Sequence, residues 1–225
     1  NALASARWIA EDATNRLLEL VDNPNADTRV ANGYFWNGIA RLTLADYFEE
    51  VVIDGAAPIT PMATTTSAIE KFQSAATIAS AAGNTSLAAA AHGATARAYR
   101  ALYFDEKWNS SKDDMSTFKK ASDAAKAALA ISATYVEYAN YAPPGASNFV
   151  YSSVNASRYN RMDPKYAYMK DPVSGDIDPR IIHGPKVNES PRTGDDVYLI
   201  TKYPDEGADI PVSRADEARL IIAEY

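Results

Sequence analysis

The side chains of this chain that can hold or transform another molecule are two histidines, 29 scattered carboxylates and a dense run of tyrosines. Catalysis requires a nucleophile beside a base, a metal cluster, or an acid and base facing one substrate. His92 lies among alanines in "AAAHGATA", where the expectation is a satisfied helix histidine rather than a ligand or base. His183, in "IIHGP", has no Cys, His or carboxylate at ligand spacing. There is no Gly-x-Ser-x-Gly, no His-Glu-x-x-His and no phosphate-cradling glycine loop. A glycosidase needs only two carboxylates, but sequence spacing places no two of them across a cleft. "DPVSGDIDP" gathers Asp171, Ser174, Asp176 and Asp178, hard oxygen donors of the kind that hold Ca²⁺. Its spacing is not that of an EF-hand, and Asp-Pro and Ser-Gly form turns without any ion, so a turn is expected. No catalytic residue, metal ligand or cofactor is assigned.

The tyrosines point instead to binding. Tyr135, Tyr138, Tyr141, Tyr151, Tyr159, Tyr166 and Tyr168 are half of the 14 tyrosines, gathered in a short stretch. A phenol ring offers an apolar face to a sugar ring, its OH reaches a hydroxyl, and it loses little entropy on binding. Tyr135, Tyr138, Tyr141, Tyr151 and Tyr159 are the candidate ligand-binding residues. The competing reading is that the same rings staple an irregular segment to its neighbours or bury against a partner protein. Trp36 and Trp108 are expected in the core.

Composition narrows the partners. The formal charge of the 225-residue chain is −7 and no Lys/Arg run exceeds two residues, which excludes nucleic acid and anionic lipid as main partners. No apolar stretch approaches the length of a membrane helix. The absence of cysteine removes disulfides and thiolate chemistry together. The Asn-x-Ser/Thr tripeptides at Asn84, Asn109, Asn155 and Asn188 are read as chance occurrences.

The elements that must position these residues are helical. Residues 2–21 place Leu3, Trp8, Ile9, Leu17, Leu18 and Val21 mainly on one stripe. A second helix is expected over 28–52, a third over 64–82 with Gly83-Asn84 as its stop, a fourth over 85–104 and a fifth over 115–131. The fourth and fifth carry small residues at helical spacing, Ala90, Ala94 and Ala98 against Ala121, Ala125 and Ala128. Leu87, Tyr99, Leu102, Trp108, Phe118 and Leu129 fill between them. That is the physical content of a tetratricopeptide-like hairpin, although the strict repeat signature is absent. Residues 132–210 hold most of the 12 prolines and no long helical period, with strand-like pieces expected at 149–154 and 196–202. A closing helix is expected to start near Pro211, where Ser213 and Asp216 have capping-box spacing. The expected fold is all-α: antiparallel helical hairpins over 1–131, a loop-rich insertion, and the start of another helix at 211–225, all in one domain.

In this order the segments resemble the SusD/RagB family of surface glycan-binding lipoproteins. The most specific match is the closing segment. Lys202-Tyr203 stands where the family has a Lys-Tyr pair. Arg214, Glu217, Leu220, Ala223 and Glu224 follow its Arg-x-x-Glu-x-x-Leu-x-x-Ala-Glu-Ala helix, with Tyr225 departing at the last alanine. Asp178-Pro179-Arg180 matches an upstream Asp-Pro-Arg element, residues 85–131 look like the central helical unit, and residues 29–60 look like the early helix with its Pro-containing loop. Arg214, Glu217 and Glu224 are read as fold markers, with an Arg/Glu pair tying the helix to the loop before it. The resemblance implies a non-enzymatic protein on the outer face of an outer membrane. Such a protein captures oligosaccharide or another nutrient and passes it to a TonB-dependent, SusC-like transporter. Family members are longer, so the resemblance also implies an incomplete chain, with an N-terminal stretch that includes a lipid-bearing Cys and a C-terminal half beyond it. The alternative from the residues alone is a structural or assembly subunit that binds other protein chains. An all-α carbohydrate enzyme is a third, weaker reading.

Overall fold

Helix boundaries in this protein follow local caps. A 3₁₀ turn at Pro24–Ala26 leads into Asp27, whose carboxylate accepts from the Arg29 amide at 2.8 Å and starts α2 (Thr28–Tyr47). Thr60 accepts from the Ala63 amide and Pro61 takes the first position of α3 (Pro61–Ala81). Gly83 ends that helix with φ of 74°, a left-handed conformation that a side chain would strain. Asn84 Oδ1 then accepts from the Leu87 amide at the head of α4 (Thr85–Asn109), and Asp114 caps α5 (Met115–Ile131) through the Ser116 amide. The first helix, α1, spans Ala2–Leu20. The computed structural model describes residues 2–109, 111, 114–143, 145–156, 168–178, 183–187 and 197–225.

Successive helices pack on one another, α1 on α2, α2 on α3, α3 on α4 and α4 on α5, with the longest of these connections, residues 48–60, lying between α2 and α3. The alanine seam is in place. Ala90, Ala94, Ala98, Ala121, Ala125 and Ala128 are all fully buried, so α4 and α5 approach closely, with Leu87 and Phe118 filling the space between. Phe35 and Phe72 join α2 to α3 with ring centroids 5.9 Å apart, and Gly38 faces Phe72 so closely that a Cβ would fall 2.5 Å from the ring. The fold is all-α, with strands limited to small two-stranded pairs among the described residues.

The chain divides into two compact units, residues 1–137 with 212–225 and residues 138–211. The first contains the helices already named and α7 (Ala215–Glu224), which packs on α4 and α5 through Ala218 and Ile221. Glu217 pairs with Arg97, Glu224 pairs with Arg100, and Tyr225 meets Phe118 edge-on at 5.7 Å. The glutamates that mark this helix in sequence thus tie it to α4, not to the loop before it.

The second unit contains a helical turn, α6 (Phe149–Tyr151), running into a π-helical turn at Ser152–Ala156, and an antiparallel pair, β2 (His183–Val187) with β3 (Val197–Ile200). Asn148 organises the turn. Fully buried, it accepts from the amides of Val150 and Tyr151 and donates to Ala208 O at 2.7 Å. Two further strands, β1 (Val136–Ala139) and β4 (Ile210–Arg214), pair where the chain passes from one unit to the other and back.

Several expectations are corrected. Trp8 and Ile9 are more than half exposed, and α1 buries Arg7 and Thr14 instead. Arg7 pairs with Glu11 and Asp54, and Arg41 joins the same carboxylate of Glu11, so an ionic network holds the first part of this helix, while Leu17 and the following Val21 keep the expected stripe packed against the core. α2 stops at Tyr47, because Val51 leaves to pair with Ile59, and Tyr47 is left 76% exposed. α4 continues to Asn109, carried past Asp105 by the Asn109 bond to that carboxylate, and leaves Trp108 74% exposed instead of in the core. Residues 149–154 are helical, not a strand. The closing helix starts at Ala215, not near Pro211. Ser213 caps nothing: it lies in β4, buried, and donates its hydroxyl to Ala90 O at 2.8 Å.

Candidate functional site

The five candidate tyrosines fall in three settings. Tyr135 precedes β1 and is 3% exposed, packed over Gly93 of α4. Burial pushes its phenol up to about 12, only partly offset by the neighbouring Ser213 hydroxyl, and the OH makes no bond of hydrogen-bonding geometry. A ring sealed in the helical core presents no face to a ligand, so Tyr135 is a core residue and not a binding residue. Tyr159 and Tyr166 lie outside the described residues.

Tyr138, Tyr141 and Tyr151 belong to the irregular unit and keep part of their surface open. Tyr138 is 42% exposed. Tyr141 is half-buried, its amide donating to Asp209 Oδ1 at 2.9 Å, and Tyr151 is half-buried in α6. Phe149 and Tyr168 are exposed in the same unit. The Tyr168 hydroxyl is 2.6 Å from that of buried Tyr198, and the two rings meet edge to face at 5.6 Å. This bond fixes one ring with its other surface outward.

The acidic stretch after Tyr168 is a turn. Asp171 Oδ1 accepts from the amides of Val173 and Ser174, Gly175 takes φ of 77°, and Lys170 bridges Ile177. Asp171 Oδ1 is thus used by the backbone, as the turn chemistry of the sequence implies. No group of three or more potential metal ligands occurs among the described residues. His92 is a half-buried helix residue whose imidazole is pushed down by burial, and it stays neutral near pH 7. Of the Asp178-Pro179-Arg180 element only Asp178 is described; it is buried, and its amide donates to Met169 O. Lys202 lies over the ring of Tyr203, whose carbonyl accepts from Asn155.

No family model, curated protein or solved structure matches this chain.

In the helical unit, a cleft of about 310 Å³ opens between α2, α3 and α4, a size at the lower end for a small-molecule site. Asp46, Asp105, Arg100, Phe104 and Trp108 line it. Asp46 and Asp105 are 59 positions apart, and only the packing of α2 and α4 brings them together, which is why no spacing motif signals the pair. Burial pushes both carboxyls up; Arg97 pulls Asp46 partly back, and the Asp105 charge adds to its rise.

Proposed function

We propose that the protein is a non-catalytic binding protein of the SusD-like kind, which takes up oligosaccharide or another nutrient on the outer face of an outer membrane. Its irregular unit carries the recognition, and a tetratricopeptide-like helical array is its support. The observation that carries this reading is the partial exposure of Tyr138 in a unit that also exposes Tyr168 and Phe149. The Tyr168 ring is held edge to face against Tyr198, and all three rings keep open surface. Such rings bind a sugar by stacking on its C–H face while the phenol OH meets a ring hydroxyl, with no acid or base required. A TonB-dependent, SusC-like transporter is the partner that receives the ligand, and no helix among the described residues is long and apolar enough to cross a membrane itself.

The test is a panel of soluble oligosaccharides scored for binding by affinity electrophoresis, with reducing-end release measured in parallel. Retardation by at least one glycan without release of reducing ends supports the reading. Release of reducing ends would make the protein a hydrolase, and indifference to every glycan would remove the sugar assignment.

A second reading, an assembly subunit that binds protein chains, is favoured by one feature. α1 exposes Trp8, Ile9 and Leu20, and Val52 stands exposed beside Trp8 and Ile9. Ligand-independent self-association in sedimentation experiments, abolished by Trp8→Ser, supports that reading over the first.

A further inference from the structure

The cleft in the helical unit has a chemistry of its own, independent of whether the irregular unit binds sugar. Asp46, next to last in α2, and Asp105, one turn from the end of α4, open into one space. Asp46 accepts no hydrogen bond and joins no ion pair among the described residues, and Asp105 accepts only from Asn109, at 3.1 Å. The nearby cations are already engaged. Arg97 of α4 is held by Glu217 of α7, and Arg100 of α4 by Glu224 of α7, with the Arg100 guanidinium also 4.8 Å from the Phe104 ring centre. Thr65, on α3, adds no charge. Two arginines therefore stand against four carboxylates, and the excess negative charge rests on Asp46 and Asp105, where the protein has displaced part of the water that would screen it.

Beside this pair stands Trp108. It is 74% exposed, lines the same cleft, and leans on Phe104 with centroids 5.0 Å apart. An indole face attracts a cation within about 6 Å of its centre and also accepts alkyl surface. A hard metal ion is a poor fit, since it takes roughly six or more oxygen ligands and the cleft supplies two carboxylates. A neutral sugar could bond to the carboxylates but would leave their mutual repulsion in place. An ammonium group relieves it and forms charge-assisted hydrogen bonds to both. We propose that this cleft binds a small organic ammonium ion, its charged head between Asp46 and Asp105 and its carbon skeleton on Trp108.

The experiment follows the indole N–H resonances of the three tryptophans, with Trp108→Phe assigning the one that matters. n-Butylammonium is titrated against butan-1-ol, which has similar shape and no charge, and against glucose, all at one ionic strength. The expected result is a saturable shift of the Trp108 signal with butylammonium alone. Exchanging Asp46→Asn and Asp105→Asn together weakens it at least about tenfold, the scale of one lost charge-assisted contact. The helical circular dichroism stays unchanged. Lowering the pH from about 7 to about 4 weakens it too, because the carboxylates that hold the cation become protonated. An equal response to butan-1-ol or to glucose, or no saturable response to butylammonium, overturns the proposal, as does binding that survives the paired substitution.

Discussion

Tyr135 and Tyr138 are three positions apart and serve opposite ends. The first closes the helical core over Gly93, and the second stands 42% exposed in the irregular unit. The Tyr135 phenol is raised to about 12, so the folded chain keeps it protonated while the unfolded chain ionises near 10. Stability supplied by this group is complete below pH 10 and is lost as pH rises from there toward 12. A rise of that size corresponds to about 3 kcal/mol at most. Denaturant unfolding of the wild type should therefore weaken more steeply above pH 10 than that of Tyr135→Phe. At pH 7 the same variant, which deletes a buried OH without a partner, should match or exceed the wild type, by roughly 1 kcal/mol at most. Gly93→Ala should do the reverse, since its Cβ would lie 2.0 Å from the Tyr135 hydroxyl and 2.9 Å from Ser213 Oγ. Overpacking of this kind costs about 1–3 kcal/mol, read as a lower melting temperature.

At the scale of elements, ion pairs and caps matter as much as apolar faces. α7 is held by Ile221 in the core, by the part-buried Arg97–Glu217 pair and by the exposed Arg100–Glu224 pair, and these are unequal. Ile221→Ala should cost about 2–4 kcal/mol in chemical denaturation, whereas Glu224→Gln, at an exposed pair screened by water, should change stability little. In the irregular unit, Asn148→Ala leaves two amides of α6 and the Ala208 carbonyl without their partner. A loss of about 1–3 kcal/mol is expected, visible as faster protease cleavage within 138–211 while the helical circular dichroism persists. The same forces explain what the sequence disclosed. The stop of α3 at Gly83 and the whole span of α5 were legible because local caps and alanine periodicity agree with the tertiary packing. The start of α7 was not, because pairing of β4 with β1 outweighs the capping signal at Ser213 and Asp216. The packing of α1 was legible only at its end, where Leu17 and Val21 meet the core; nearer its start a buried arginine is the anchor, and Trp8 and Ile9 are exposed. Residues 149–154 carry strand-favouring side chains, but Asn148 imposes a helical turn on them. The site was only partly legible: composition located the tyrosines, but burial, a tertiary property, removed Tyr135 from them, and helix packing created the Asp46–Asp105 pair.

For the molecule as a whole, the division into two units is the feature with consequences. The chain leaves the helical unit after Glu137 and returns at Val212, and the strands that carry it out and back are paired. The apolar core made by α2, α3, α4, α5 and α7 lies entirely within the helical unit. Replacing 138–211 with a short Gly/Ser turn should thus leave a helical protein that unfolds cooperatively; a non-cooperative melt would mean that the helices depend on the irregular unit. The central claim is that recognition resides in that unit's open aromatic rings. Its most direct test is isothermal titration of the best-bound oligosaccharide into the wild type, into Tyr138→Ala/Tyr141→Ala and into Tyr135→Phe. The account predicts that the first variant loses at least about tenfold in affinity with its circular dichroism unchanged, and that the second binds as the wild type does. Undiminished binding by the Tyr138→Ala/Tyr141→Ala protein would contradict it.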